Sequence, residues 1–446
     1  MSDRVLRAYI GAQPTGTLRD DDGVWSFAYE QLWLDSTERY ALAPGLPLQK
    51  EAIVDSSSTR PVQWYFDNLL PEEDVRALVA HDAKVDQNDA FGLLALFGAE
   101  SAGSLTLLSD EPGEPTAGES ALSDAALAAR IAALPRVPLT AAAPKRMSLA
   151  GAQHKLAVIE RNGALAEPVG TTASTHLLKP DHPDPVYPHT VINEYFTMRL
   201  AAALKLEVPK ISRRYVPAPV YLIQRFDREI RDADIHRLHS IDACQLLNLD
   251  RAYKYRAADL DALVEITQRC SSPAVTRVKL YSWLAFNVLV GNQDAHLKNL
   301  SFLVDQRGIR LAPHYDLLAS AIYDTKAFNQ EARWPRVGLG WELGGRRTFD
   351  EVDSDALIAA AKVLGLKPRS ARRLLEEQLS RIEAQANALL AEIETGNKTL
   401  MRQQAGLEAT FAGELRLLRA IVHWVVHEMV GRLKFSVQSS RARGRG

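Results

Sequence analysis

At 446 residues, 46% of them apolar, the chain is long enough for two or three domains with sizeable cores. Its 53 basic and 55 acidic residues leave a formal net charge of −2, which excludes a global electrostatic case for nucleic acid or an anionic membrane as the main partner. Cys244 and Cys270 lack CxxC spacing and predict buried reduced thiols, and with no basic-then-apolar N-terminus and no window of membrane-span length the expected compartment is the cytoplasm.

Residues 1–108 predict an independent, mostly β unit with helices. Residues 4–10 read as a strand, and 16–29 as a hairpin whose Asp22-Gly23 supplies the positive φ values of a tight turn. Trp64, Tyr65, Phe66, Leu69 and Leu70 give 63–70 a helical, apolar spacing stopped by Pro71; core packing explains these aromatics better than a ligand surface. A buried helix over 91–97, closed by Gly98, and a strand over 104–108 complete the unit. From 109 to 146 the composition turns to Pro, Gly, Ser, Glu and Ala. This predicts a linker in which only 124–134, N-capped by Ser123, is ordered.

A second unit begins at Met147, with Ser148 just before a loop of Ala150, Gly151, Ala152, Gln153, His154 and Lys155 and a strand at 156–159. A small-residue loop beside a strand lets backbone amides approach phosphates. Neither G-x-x-x-x-G-K-[ST] nor G-x-G-x-x-G is present, so taken alone the loop reads as a plain turn ahead of a phosphate cradle. Residues 175–179 form a strand with an inward-capable Lys179, and 191–206 an amphipathic helix carrying Glu194. Kinases brace a phosphate-binding ammonium with such a pair; a surface lysine is the alternative. Antiparallel strands at 215–220 and 221–226 lead into 224–228, where a kinase hinge would receive adenine, which makes Gln224 and Phe226 candidate contacts. Apolar spacing then predicts helices over 240–249, 259–269 and 276–290, the last apolar nearly all round and so a buried spine.

That helix delivers Asp294, which stands with Asn299 in a D-x-x-x-x-N frame. Kinase catalytic loops use this spacing to set a base beside the acceptor hydroxyl and an amide oxygen on a metal. An apolar run at 300–304, a turn at Gly308 and the stretch 311–316 predict strand, turn and strand ending in a second carboxylate, Asp316. Asp316 fits the metal-binding Asp of D-F-G. Asp294 is therefore the candidate base, Asn299 and Asp316 the candidate Mg²⁺ ligands, and His296 and Lys298 candidate nucleotide contacts. Beyond lie an irregular segment to about 349 with Gly338, Gly340, Gly344 and Gly345, expected as mobile loops, and helices over 354–364 ended by Gly365, 370–394 ended by Gly396, and 408–433. A basic tail with Arg441, Arg443 and Arg445 reads as solvated, with phosphate contact as the sharper alternative.

These blocks together resemble the HipA family of bacterial toxin serine/threonine kinases from end to end. The likeness rests on Ser148-Leu149-Ala150-Gly151-Ala152-Gln153 with Lys155, Thr175-His176-Leu177-Leu178-Lys179, Asn193-Glu194-Tyr195 and Arg225-Phe226-Asp227-Arg228. It continues through Asp294-Ala295-His296-Leu297-Lys298-Asn299 and Leu311-Ala312-Pro313-His314-Tyr315-Asp316. Phe66-Asp67-Asn68-Leu69-Leu70-Pro71 and Gly103-Ser104-Leu105-Thr106-Leu107 match the family's additional N-terminal domain. The resemblance implies an α+β, two-lobed, protein-kinase-like fold with a mostly helical C-lobe and a small N-terminal α/β domain. Its expected divisions are 1–108, a linker at 109–146, an N-lobe at 147–228 and a C-lobe at 229–446. It also implies ATP with Mg²⁺, transfer of the γ-phosphate to a serine of a protein such as an aminoacyl-tRNA synthetase, and inhibitory autophosphorylation at Ser148. A helix-turn-helix antitoxin would neutralise the toxin and link it indirectly to DNA. His154 stands where the family commonly has Glu, and Gln224 replaces a Glu at the presumed hinge. Two rival readings remain: a small-molecule kinase of the aminoglycoside-phosphotransferase type, which shares the Asp294, Asn299 and Asp316 pattern, and a non-catalytic corepressor that binds antitoxin and DNA. The N-terminal domain and Ser148 argue against the first, and the intact Lys179, Asp294, Asn299 and Asp316 against the second.

Overall fold

The computed structural model describes residues 4–109, 117–145, 147, 150–231 and 234–434. Ser148 and the basic tail lie outside the described residues. The chain divides into two compact units, Met1–Pro180 with Arg214–Lys254 and Leu300–Ala312, and Asp181–Arg213 with Tyr255–Asn299 and Pro313–Gly446.

The first unit holds two larger sheets. One runs in the order Ile53–Val54, Val24–Tyr29, Gln13–Asp21, Arg4–Ile10 and Leu105–Leu108, and its described pairs are antiparallel. Asp22 and Gly23, with φ of 50° and 87°, make the tight turn that their residue types demand. Alternate residues of these strands, Leu6, Ala8, Leu18 and Phe27, are buried, and Phe27 meets Phe66 of the Pro61–Asp67 helix with ring centroids 5.5 Å apart. Each such burial contributes about 1.5–3 kcal/mol. That helix stops before Pro71, at Asn68, whose side-chain amide donates to the Trp64 and Leu249 carbonyls at 2.8 and 3.0 Å.

The second sheet has six strands in the order Ile211–Tyr215, Pro219–Gln224, His176–Pro180, Leu156–Arg161, Ala164–Gly170 and Ala117–Ala121. The last of these corrects the expectation that only 124–134 is ordered between 109 and 146. Ala117–Ala121 pairs with Ala166–Gly170, and Leu122, Leu127 and Leu139 pack with Leu156, Val158, Leu178 and Leu222. Composition missed this because the edge strand AGESA is polar and almost wholly exposed, held by backbone pairing, by Glu119 on Arg161 at 2.8 Å and by the Gly118 N–H on Thr172 Oγ1 at 2.9 Å. The first of the two predicted strands at 215–226 also falls earlier, because Pro217 and Pro219 place a turn where a continuous strand was expected.

Residues 240–249 were expected as one helix. Ser240–Asp242 instead pairs with Ser301–Leu303, and the helix starts only at Ala243, with Asp242 and Gln245 forming a reciprocal capping box. The predicted strand and turn after Asn299 are present as Ser301–Asp305 and Gly308–Leu311 and complete this small sheet, but the second strand ends at Leu311, so Asp316 lies beyond it rather than at its end.

The second unit is mainly helical. Pro273–Val290 is its spine, with Leu280, Trp283, Leu284, Phe286 and Leu289 buried on several sides. Ser354–Val363 ends near Gly365 as its sequence requires, but Pro368–Gln403 runs straight through Gly396. A glycine costs a helix interior about 1 kcal/mol, too little to stop one of 36 residues. After Glu408–Ala420 the last helix widens into a π-helical stretch, Ile421–Val426, whose Ile421, Val422, Val425 and Val426 are buried. The glycine-rich segment expected as mobile loops holds an antiparallel hairpin, Gly338–Leu343 with Arg346–Thr348, turned by Gly344 and Gly345 at φ 60° and 88°. Cys244 and Cys270 are buried thiols not joined in a disulfide, and among the described residues no helix is long and apolar enough to cross a membrane.

Candidate functional site

In the second unit the spine helix ends on Gly291 in the left-handed region at φ 68°, a conformation that glycine adopts without penalty. Asn292 then serves two bonds: its amide donates to Asn287 Oδ1 at 2.8 Å, and its oxygen accepts the Asp294 N–H at 3.0 Å. The Gln293 N–H donates to Ser320 Oγ at 2.8 Å, and its side chain reaches Asp324 at 3.1 Å. Asn299 closes the frame by donating from Nδ2 to the Asp294 carbonyl at 2.7 Å. Asp294 is thus held through its main chain on both sides while its carboxylate stays 43% exposed. Tyr255 donates its hydroxyl to Asp294 Oδ1, and His296 Nε2 lies 3.9 Å from the same oxygen. His296 and Lys298 are buried within the frame.

The segment carrying Asp316 is tied to this loop. Tyr315 donates its hydroxyl to the Lys298 carbonyl at 2.7 Å. The His314 N–H donates to the Glu207 carbonyl at 2.8 Å, and its ring stacks on Trp283 at 6.0 Å. Burial, and then the nearby Lys279 charge, pushes His314 down to about 3, so it is a neutral packing group rather than an acid or base. Asp316 has φ 58°, a left-handed backbone that costs a residue with a side chain about 1–3 kcal/mol and is concentrated at functional sites. The chain beyond it is clamped by fully buried Asn193, which accepts the Ala319 N–H at 2.9 Å and donates to the Ala319 carbonyl at 3.2 Å. The motif Asn193-Glu194-Tyr195 was read for its glutamate, and this role of Asn193 was missed because its partner is a main-chain group 126 residues away. Gly340 of the Gly338–Leu343 strand presses on the same loop, where a Cβ would come within 2.6 Å of the Ala295 carbonyl oxygen.

The donor set suits Mg²⁺. Asn299 and Asp316 offer an amide and a carboxylate oxygen, hard ligands of the kind this ion takes, and the Nδ2 bond to Asp294 turns the Asn299 oxygen to the opposite side. Among the described residues no group of three or more His, Cys, Asp or Glu side chains gathers as a metal site.

The first unit carries the remaining candidates. Lys179 lies buried on the His176–Pro180 strand, in register with Tyr221. Ala150, Gly151, Ala152, Gln153, His154 and Lys155 are half-buried. Gly151 takes φ 106° and its carbonyl accepts the Glu72 N–H at 3.2 Å, while Lys155 donates Nζ to the Ala150 carbonyl at 2.5 Å. Such a loop is bent back on itself by its own lysine. Gln224 and Phe226 are half-buried, whereas the residues between and beyond them turn inward.

Those inward residues form a cluster that sequence reasoning did not find. Arg225 and Arg228 flank Asp227 at 2.7 and 3.0 Å, and fully buried Glu100 is reached by Lys145 at 2.9 Å, Arg225 and Arg228 at 3.3 Å, and Arg237 at 3.6 Å. Burial alone would raise the Glu100 carboxyl, but Arg237, Lys145, Arg225 and Arg228 outweigh it and hold it far below the ordinary carboxylate range. Burial pushes Arg228 down to about 10, with the Arg225 charge adding to the effect. Glu100 stands alone in an apolar-to-small stretch, so no spacing announced it.

Comparison with known proteins places these features. Residues 147–386 match the family model described as HipA-like C-terminal domain, and residues 6–108 match HipA N-terminal domain. The chain is 36% identical over 405 residues to the Sinorhizobium fredii protein named "Putative kinase Y4mE", covering 87% of this chain and 93% of that one. It is 27% identical over 417 residues to the serine/threonine-protein kinase toxin HipA of Shewanella oneidensis, covering 87% and 89%. The Shewanella oneidensis HipA structure, solved with HipB and operator DNA, superposes with a TM-score of 0.75 at 24% identity, over 96% of this chain and 99% of that one. The fold class is therefore α+β and kinase-like.

Proposed function

The chain belongs to the HipA family, and from that premise we propose that it is a toxin-type protein serine/threonine kinase, passing the γ-phosphate of ATP to a protein serine. The observation that carries this reading is the closed Asp294 to Asn299 frame, which fixes the base's main chain while its carboxylate stays partly exposed.

Phosphoryl transfer asks little covalent chemistry of the protein, so the residues act by position and charge. Lys179 and the loop of Ala150, Gly151, Ala152, Gln153, His154 and Lys155 hold the phosphates, and Gln224 and Phe226 border the adenine. His296 and Lys298 keep the Asp294 loop in register with the nucleotide. Asn299 and Asp316 hold Mg²⁺, which supplies neutralisation of charge on the phosphates when bound. Asp294 orients the serine hydroxyl and takes its proton as the serine oxygen bonds to the γ-phosphorus and the bond to the ADP oxygen breaks. Ser148 serves as an off switch: phosphate there adds a charge of about −1.5 to −2 beside the 150–155 loop. The domain division at 108, 146 and 228, an aminoacyl-tRNA synthetase as acceptor, and a helix-turn-helix antitoxin that neutralises the toxin and brings it to DNA belong to the same proposal.

Expression in bacteria tests it. The wild-type chain arrests growth and protein synthesis, Asp294→Asn does not, and co-expression of the cognate antitoxin restores growth. Equal toxicity of wild type and Asp294→Asn would remove kinase activity from the explanation.

A further inference from the structure

Tyr255 follows the short helical turn Arg251–Tyr253, 39 residues before Asp294 and outside every motif the sequence offers. Its hydroxyl donates to Asp294 Oδ1, which is the bond an acceptor serine must make. Its ring stands edge-on to His296, with centroids 4.8 Å apart and planes at 86°, and about half of the residue is exposed at 48%. Asp294 needs no such bond to keep its place, because Asn292 and Asn299 already fix its N–H and its carbonyl.

We propose that Tyr255 is an acceptor placeholder. Its phenolic hydroxyl occupies the position on Asp294 that the substrate serine takes, so transfer begins with the exchange of one hydroxyl for another at Oδ1. The inference rests on the reading of Asp294 as the base and adds a residue that governs access to it. Tyr255 fills Oδ1 while no protein acceptor is bound, denying that oxygen to an attacking water and so suppressing idle hydrolysis of ATP. A side chain that is 48% exposed has room on its solvent side to swing outward. A hydrogen bond to a charged group is worth roughly a tenfold to hundredfold factor in an equilibrium, which sets the size of the competition.

The test compares full-length wild type, Tyr255→Phe and Asp294→Asn with ATP and Mg²⁺. Phosphate release is measured without added protein, and transfer is measured across a dilution series of bacterial extract. Tyr255→Phe keeps the ring on His296, and equal thermal unfolding of the variant and wild type verifies that it folds. The expected result is roughly tenfold faster phosphate release and half-saturation at roughly tenfold less extract, with an unchanged plateau rate. A lower plateau at unchanged half-saturation would make Tyr255 a support of the base and overturn the proposal, as would rates equal to wild type. Phosphate on Tyr255 itself, read by mass spectrometry, would make it an acceptor and overturn it too. If Asp294→Asn transfers normally, or wild type transfers nothing, the base reading fails and this inference with it. If only Tyr255→Phe behaves like wild type, the base reading stands and the placeholder alone is lost.

Discussion

In the proposed reaction Asp294 and Asp316 act under different constraints, and their amide variants separate them. Asp294→Asn nearly preserves size but cannot accept a proton; transfer is expected to fall by about 10² to 10⁴ while ATP binding persists. Near-normal transfer would relocate the base. Asp316 sits at φ 58°, where asparagine is the best-tolerated substitute, so Asp316→Asn should fold normally and still lose tenfold or more in Mg²⁺-dependent ATP affinity. Calorimetric titration reads this directly, and equal affinities would put the metal elsewhere. The spacing of Asp294, Asn299 and Asp316 was visible in the sequence because the three lie within one short stretch of chain. Asn193 and Tyr255 were not, because each meets its partner across a long stretch of chain and no short-range pattern encodes that meeting.

At the scale of elements, the Gly338–Leu343 strand is the least expected support of the site. Four glycines suggested mobility, yet Gly344 and Gly345 make a hairpin turn and Gly340 lets a strand approach the Ala295 backbone. A methyl group at 340 meets main-chain atoms that cannot rotate away, with Ala295 oxygen at 2.6 Å and nitrogen at 3.0 Å. Gly340→Ala is therefore expected to cost about 1–3 kcal/mol by overpacking and to reduce transfer by shifting the residue next to Asp294. Urea denaturation together with transfer rates checks both effects, and unchanged values would mean the hairpin is not a support. The long helix Pro273–Val290 was legible because its apolar spacing continues over many turns. Short elements were not: Ser240–Asp242 has a helix-like apolar spacing but is claimed by pairing with Ser301–Leu303, and Ala117–Ala121 has no apolar pattern at all.

At the scale of the whole molecule, acid sensitivity should be set in the first unit by the Glu100 and Asp227 cluster. Both carboxyls are held below their ordinary range against the cost of burial, Glu100 by Arg237, Lys145, Arg225 and Arg228, and Asp227 by Arg225 and Arg228. A depressed folded-state value means that their stabilisation is complete above the unfolded carboxyl range of about 4 and is lost as the pH falls below it. Glu100→Gln leaves buried cations short of a partner and is expected to cost about 3–5 kcal/mol at pH 7, with a shallower loss of stability below pH ~4 than wild type. Denaturation at the two pH values reads both. The family and fold follow from similarity along most of the chain, while the assignment of a protein serine as acceptor is the central claim of function. Its most direct test is phosphopeptide mass spectrometry of a bacterial extract incubated with purified chain, ATP and Mg²⁺, alongside the Asp294→Asn control. The predicted result is phosphoserine on a discrete protein, an aminoacyl-tRNA synthetase, with wild type alone; phosphate passed only to small molecules, or no phosphoserine above the control, would contradict it.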